Sequence, residues 1–455
     1  MARLVVIGGD AAGASAAGRA KRLDPSRDVV VFEKGEVTSY AACGLPYLIG
    51  GEVGDGHNLV ARTPDEHRAA GLDVRTGHDV VGIDLDARCV TVHDMAHDRT
   101  ITEGFDDLVI ATGASPIRPP LAGIDASGIL GIRSIPDADA IDAIIDDRHP
   151  ERAVVVGAGY IGVEMAEALV ERGLHVTMVE QRDTPMATLD AEMSARVADA
   201  IRTLGVDLRL GTSVEGFAAR DGWVAAVATD DGECGADLVV MGLGMRPNVA
   251  LAEAAGVPIG PSGAIATDAR MATRIDGVWA AGDCVESLHR VSHRPVSIAL
   301  GTHANKQGRV AGTNVAGGAA RFPGVVGTAI TRIGQTEIAL TGLNLADAAQ
   351  AGFDAVAATA EGQTRAHYFP GAAELAVEVV VERSTARILG AQIVGGPEAG
   401  KRIDVLALAV WNGMDAEEFS MLDLAYAPPV APVWEASMIA ARLAARAASA
   451  GSAER

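Results

Sequence analysis

Short apolar runs that end in glycine set the plan of this chain. Leu4-Val5-Val6-Ile7 leads straight into Gly8-Gly9-Asp10-Ala11-Ala12-Gly13, and an Ala- and Arg-containing helical stretch follows. The next apolar run, residues 29–32, ends at Glu33. Apolar runs of this length bounded by turns read as buried strands. Strand, glycine turn, helix and strand in that order open a dinucleotide-binding unit. The order recurs: residues 153–156, then Gly157-Ala158-Gly159-Tyr160-Ile161-Gly162, a helix over residues 163–172, and a strand at 175–179 ending at Glu180. Glu33 stands 20 residues after Gly13, the spacing of an acid that holds an adenosine ribose. A lone glycine motif is weak evidence. Two, each with its strand, helix and acid, are strong.

The first motif departs from the pattern at Asp10, where a glycine usually lets the backbone approach a pyrophosphate. Asp10 is expected to turn aside and cap the helix that begins near Ala11. Further on, residues 106–110 read as a buried strand ending in the turn Ala111-Thr112-Gly113. Residues 236–241 repeat that plan and end in Gly242-Leu243-Gly244. The echo predicts two similar units, one inserted in the other. Residues 278–280 form a strand with Asp283 just beyond, and a helical run covers about 295–315. From about Phe322 the pattern turns β-rich, with runs at 375–381 and 388–394, a helix at 401–412 and the segment 423–434. The fold class is α/β, with two Rossmann-like dinucleotide-binding domains and a C-terminal α+β domain. Expected bounds are 1–113 with 244–320, then 114–243, then 321–445, with 446–455 as a flexible tail.

A length of 455 residues suits about three domains, and 49% apolar residues supply their cores. No long apolar stretch escapes charges or breakers, so no membrane partner is expected. The opening strand runs into glycines rather than a cleavage region, so a cytoplasmic location is expected. The four cysteines, at 43, 89, 234 and 284, form no Cys-x-x-Cys pair, and no metal site is expected. A net charge of −22 excludes nucleic acid as a partner. Anionic cofactors must then be met by helix N-termini and individual arginines.

Cys43 carries the chemistry. It lies in Ser39-Tyr40-Ala41-Ala42-Cys43-Gly44-Leu45-Pro46-Tyr47, directly after the first nucleotide unit. With a second nucleotide unit downstream, it points to a flavoenzyme that exchanges electrons with a thiol or disulfide. The two glycine motifs, Ala111-Thr112-Gly113, Ala281-Gly282-Asp283 and the β-rich final third together resemble the pyridine nucleotide–disulfide oxidoreductases over nearly the whole chain. Cys43-Gly44-Leu45-Pro46-Tyr47 with Tyr426-Ala427-Pro428-Pro429 is most similar to the coenzyme A disulfide reductase branch, which also holds persulfide reductases and NADH oxidases. Two-cysteine relatives space their pair by four residues, and here Thr38 and Leu48 occupy those positions. Peroxidase-type relatives carry histidine where this chain has Ala11. No rhodanese domain is expected after the third unit.

The resemblance implies a homodimer that binds FAD in 1–113 with 244–320 and NADH, or NADPH, in the inserted segment. It implies a third domain that forms the interface and presents Tyr426, and less directly Tyr368, to the partner's Cys43. The implied cofactor-binding residues are Gly8, Gly9, Ala12, Gly13, Glu33, Lys34, Ser39, Thr112, Gly113, Arg133, Gly157, Gly159, Tyr160, Ile161, Gly162, Glu180, Gly244, Gly282 and Asp283. Glu180 favours NADH because a carboxylate accepts ribose hydroxyls and repels a 2′-phosphate, while Arg182 could reverse that preference. The implied reaction is reduction of a low-molecular-weight disulfide, coenzyme A disulfide or persulfide above all, through a mixed disulfide on Cys43. A depressed thiol pKa would assist, and a tyrosine hydroxyl could supply the proton. Arg19, Arg22, Ser39, Arg62 and Arg68 are candidates for contacts to the coenzyme A moiety. Two other readings are an NADH oxidase with a sulfenic acid on Cys43, and an electron-transfer flavin reductase in which Cys43 is structural. Cys284 is expected to be buried packing.

Overall fold

The computed structural model describes residues 2–450. Two parallel five-stranded sheets dominate it. The first runs Val278–Ala280, Asp107–Ile110, Arg3–Ile7, Asp28–Phe32, Asp73–Arg75. The second runs Asp207–Arg209, His175–Val179, Arg152–Val156, Leu238–Met241, Ile129–Leu130. In each, the strand before the glycine turn lies in the interior with neighbours on both sides, so the turn opens where the strand order reverses. Crevices at such switch points are where parallel sheets of this class bind nucleotides. Leu4, Val5 and Val6 are fully buried, as are Val154 and Val155, which accounts for the unbroken apolar runs.

Each unit also holds a three-stranded antiparallel sheet inserted before its Asp107–Ile110 or Leu238–Met241 strand. One comprises His78–Asp84, Cys89–Asp94 and Arg99–Gly104; the other Val214–Arg220, Trp223–Thr229 and Gly232–Gly235. The third unit is an antiparallel sheet ordered Ala329–Ile333, Thr336–Gly342, Ile388–Gly395, Glu374–Glu382, Ala355–Gln363. Helix Ala436–Ala450 lies against its last two strands, and helix Ile403–Asn412 against Ile388–Gly395.

The helix Gly301–Val315 packs on Ala11–Leu23 at unusually short range. A Cβ at Gly308 would lie 2.1 Å from the Ala12 carbonyl oxygen, and one at Gly312 would lie 2.2 Å from that of Ala16. Only glycine allows this crossing.

Three expectations are corrected. The helix expected from about 295 begins at Gly301, because Pro295–Val296 instead pairs with Ser287–Leu288. The helix expected at 163–172 already begins at Tyr160 and ends at Glu171. Residues 446–450, expected in the flexible tail, continue helix Ala436–Ala450, and Ala448 is buried; the rest of that expected tail lies outside the described residues. Among the described residues, no helix is long and apolar enough to cross a membrane.

Candidate active site

The two glycine turns are built alike. Gly8 and Gly157 hold φ of +98° and +100°, and their amides donate to the carbonyls of Phe32 and Val179 at 2.8 and 2.7 Å. A Cβ at Gly13 would lie 1.8 Å from the Gly8 oxygen, and one at Gly162 would lie 2.0 Å from that of Gly157. Each turn is therefore pressed onto its helix by a glycine that faces protein. The acids close the turns in the same way. Glu33 accepts from the amides of Gly9 (2.7 Å) and Gly35 (2.8 Å), and Glu180 accepts from those of Ala158 (2.8 Å) and Arg182 (2.9 Å). Both carboxylates thus stand where ribose hydroxyls would meet them.

The turns differ at one position. Gly159 would meet nothing within 4 Å if it carried a Cβ, so the space before it is open to a phosphate. Its counterpart, Asp10, makes no capping bond to its helix, contrary to expectation. Its Oδ1 accepts from the amide of Tyr40 at 3.2 Å. Burial, then repulsion from Glu33, pushes the Asp10 pKa up to about 6.

One cleft of about 2320 Å³ joins the turns. Its walls include Gly8, Ala12, Glu33, Lys34, Thr112, Gly113, Arg133, Gly282 and Asp283, then Gly157, Gly159, Tyr160, Ile161, Glu180 and Gly244, and also Cys43. Gly9, Gly13 and Gly162 shape the turns from behind. Ser39 is not on the wall; its φ is +51° and its hydroxyl lies 2.9 Å from the Nε2 of buried His67. Lys34 pairs with Asp79 at 2.9 Å. Burial raises the Asp283 pKa, and Arg133 opposes the rise.

Cys43 sits in a one-turn 3-10 helix, Ala42–Gly44, and is solvent-exposed while facing the cleft. Its thiol pKa is raised, so the assistance that a depressed value would give is absent here. Removal of surrounding water comes first, and the carboxylates of Glu164 and Asp283 add to it. The Glu164 carboxyl is itself raised by burial, and it accepts from the Thr331 hydroxyl at 2.7 Å. All four cysteines are free. Cys284 is fully buried with its Sγ 3.4 Å from the Ala281 oxygen, as packing requires.

The candidate substrate arginines do not line the cleft. Arg19 donates to the Thr313 hydroxyl (3.0 Å) and Arg22 to the Gly18 carbonyl (3.1 Å). Arg68 is committed to Asp65 (2.6 Å) and the Val74 carbonyl (2.9 Å). The Arg62 carbonyl accepts from Thr38 at 3.3 Å. Tyr368 and Tyr426 also lie off the cleft, at 66% and 49% exposure on the third unit. Sequence reasoning missed Asn248, which staples the Ala111-Thr112-Gly113 turn. Its amide donates to the Thr112 carbonyl (2.8 Å), and its Oδ1 accepts from the Ser115 hydroxyl (2.8 Å). Its only sequence signal is its place just after the Gly242-Leu243-Gly244 echo. Glu164, one turn into the second nucleotide helix, was missed as a neighbour of Cys43.

Comparison with known proteins agrees with this geometry. A family model described as pyridine nucleotide-disulphide oxidoreductase matches residues 2–308, and the dimerisation domain of the same family matches 328–437. The chain is 39% identical to the NAD(P)H sulfur oxidoreductase (CoA-dependent) of Pyrococcus abyssi, over 97% of each chain. It is 30% identical to the coenzyme A disulfide reductase of Staphylococcus aureus, over 94% of this chain and 96% of that one. The solved NAD-dependent persulfide reductase from A. fulgidus superposes with a TM-score of 0.95 at 39% identity, covering 98% of this chain and 84% of that one. Paired nucleotide cradles opening on a cysteine, matched almost end to end, leave one conclusion: this chain belongs to the pyridine nucleotide-disulphide oxidoreductases, NAD(P)H-dependent flavoproteins that use FAD, and carries their dimerisation domain.

Proposed function

We propose that the protein reduces a low-molecular-weight disulfide, coenzyme A disulfide or persulfide above all, through Cys43 alone. One observation carries this reading: a single cleft joins both nucleotide turns and exposes Cys43 to solvent. The residues that could have supplied a second sulfur, Thr38 and Leu48, have none. The names of the P. abyssi and S. aureus relatives support the coenzyme A substrate class.

The residues divide the work. The first turn and its helix N-terminus hold the FAD pyrophosphate, with Glu33 on the adenosine ribose and Thr112, Gly113, Arg133, Gly282 and Asp283 toward the flavin. The second turn holds the nicotinamide nucleotide, with Glu180 favouring NADH. This assigns 1–113 with 244–320 to FAD and 114–243 to the nucleotide, in line with the two sheets. When bound, the two cofactors supply two electrons and a proton per turnover, so that one RSSR and one further proton become two RSH.

Cys43 attacks one sulfur of RSSR; a Cys43–SR bond forms and RS⁻ leaves, taking a proton from a nearby hydroxyl. Two electrons then break the Cys43–SR bond, returning the Cys43 thiolate and releasing a second RS⁻, which takes up the remaining proton to leave as RSH. Glu164 and Asp283 oppose that thiolate while ionised, so their raised pKa values work in its favour. The hydroxyl comes from the other subunit of a homodimer. The third unit presents Tyr426 and Tyr368 to the partner's Cys43, consistent with its dimerisation-domain match and with exposed Met421, Val430, Val433 and Trp434 around Tyr426. Arg19, Arg22 and Arg62 remain candidates for the coenzyme A phosphates. Four free thiols suit a reducing compartment.

The test is Cys43→Ser. FAD content and flavin reduction by NADH stay at wild-type levels in stopped flow. Turnover of coenzyme A disulfide falls by about a thousandfold or more, because a serine hydroxyl cannot carry a mixed disulfide. Wild-type disulfide turnover in this variant would refute the mechanism and leave an electron-transfer reductase.

A further inference from the structure

Tyr368 and Tyr426 belong to different segments. Tyr368 lies in the connection between strands Ala355–Gln363 and Glu374–Glu382, whose ends pair Gln363 with Glu374. Tyr426 lies between helices Ala416–Phe419 and Ala436–Ala450. The two segments touch directly at one backbone bond, the Ala366 amide to the Pro428 carbonyl at 3.1 Å. Yet the tyrosines act on one another, since interaction with the Tyr368 side chain raises the Tyr426 pKa above its usual value.

One side chain reaches both segments. Arg402 ends the short turn Gly400–Arg402. Its Nη2 donates to the Thr364 carbonyl, at the base of the Tyr368 connection, and to the Val430 carbonyl in the Tyr426 segment, the latter at 3.1 Å. Its Nη1 donates to the Glu398 carbonyl. Its Nε donates to Glu435 at 3.2 Å, where the last helix begins. Both side chains are largely buried, 17% and 12% exposed. Arg365 adds a second tie within the Tyr368 connection, donating to Glu398 at 2.5 Å and to the Pro370 carbonyl at 3.4 Å. Only a guanidinium has enough donors in one rigid plane to serve three carbonyls and a carboxylate at once.

We propose that Arg402, backed by Glu435, is a positioning residue that holds the Tyr368 and Tyr426 segments in one arrangement and so sets the hydroxyl pair for the sulfur chemistry. This rests on the proposed role of the tyrosines. Without Arg402, the carbonyls of Thr364 and Val430 lose their donor, and both segments become free to re-pair with water.

The test uses the full-length, FAD-loaded protein and compares Arg402→Ala, Arg402→Lys and Glu435→Gln with wild type. Tyrosine ionisation is followed by ultraviolet absorbance, and Tyr426→Phe identifies the Tyr426 component. In Arg402→Ala that component moves down to about 10, the ordinary tyrosine value. Flavin reduction by NADH is unchanged, while reoxidation by coenzyme A disulfide slows about ten- to a hundredfold. Added guanidinium ion restores part of the rate in Arg402→Ala, and Arg402→Lys restores none. Should Arg402→Ala fold poorly, Glu435→Gln keeps the three carbonyl bonds and shows the same changes in weaker form. A wild-type Tyr426 titration together with wild-type reoxidation in Arg402→Ala and Glu435→Gln would overturn the proposal. Wild-type reoxidation in both Tyr368→Phe and Tyr426→Phe would instead remove the role of the tyrosines, and the titration would still decide whether Arg402 sets their arrangement.

Discussion

The two nucleotide turns have almost the same backbone and opposite chemistry at one position. Asp10 holds φ −92° and ψ −158°, and Gly159 holds φ −83° and ψ −171°. Both are extended conformations open to any residue, so glycine at 159 is not there for its dihedral freedom. It is there for room. In the first turn that room holds a carboxylate, which reaches across to the Tyr40 amide and so ties the turn to the loop that carries Cys43. On the proposed assignment the second turn serves a nucleotide that must arrive and leave, and it stays open. The first is joined to the loop that carries Cys43.

The sharpest way to break this comparison is to fill the glycines that face protein. Gly13→Val and Gly162→Val each drive a side chain into a turn carbonyl. Gly13→Val should give protein that retains little FAD, seen as loss of flavin absorbance. Gly162→Val should stay yellow but lose flavin reduction by NADH, about a hundredfold for an overpacking strain near 3 kcal/mol. Loss of flavin from Gly162→Val alone would mean that the two cradles are not independent.

The acids offer a milder test. Glu180→Ala should narrow the ratio of kcat/KM for NADH over NADPH by about tenfold. Glu33→Ala should weaken FAD retention and leave that ratio alone. A wild-type preference for NADPH would show that Arg182 governs the second site.

The smallest effect belongs to Asp10. Its pKa is raised from 3.8 to about 6 in the folded chain. The folded state therefore binds this proton more tightly than the unfolded chain does. Stability falls as pH rises from about 4 to about 6 and is level above that window. Asp10→Asn keeps an oxygen for the Tyr40 amide but cannot ionise. Its stability relative to wild type should rise across that window by on the order of 2 kcal/mol, as measured by urea unfolding at both ends. A difference independent of pH would show that Asp10 stays charged in the fold.

Much of this was legible in the chain. The central strands announce themselves because burial on both faces demands unbroken apolar runs, and residues 4–7 and 153–156 have nothing else. The glycines were legible because a close approach of backbones tolerates no other residue. Cys43 was legible by its place. The three-stranded sheets were not read, since strand Cys89–Asp94 alternates buried and half-buried residues and carries His93 and Asp94 among them. The tether from Asp10 to Tyr40 crosses 30 residues, a reach that no local pattern encodes. Arg402 is invisible for the same reason: three of its partners are carbonyl groups, which every residue has, and the fourth, Glu435, lies 33 residues away. The direction of the thiol pKa was not legible, because it is set first by burial and then by Glu164 and Asp283, which come to Cys43 from segments far away in the chain.

The close crossing at Gly308 and Gly312 has a consequence for the order in which the protein can be made. Strand Arg3–Ile7 is among the first parts to leave the ribosome, yet its sheet lacks the edge strand Val278–Ala280, and its helix lacks the Gly301–Val315 cover, until more than 300 residues have been synthesised. The second sheet is complete at Met241. The later-born unit can thus close while the first still shows an unpaired edge at Asp107–Ile110, the kind of surface that invites pairing with a neighbouring chain. During synthesis the inserted unit is a finished body inside an unfinished one. A mutation that slows the arrival or the docking of residues 301–315 would reveal itself as aggregation of nascent chains before any loss of activity in the protein that does fold.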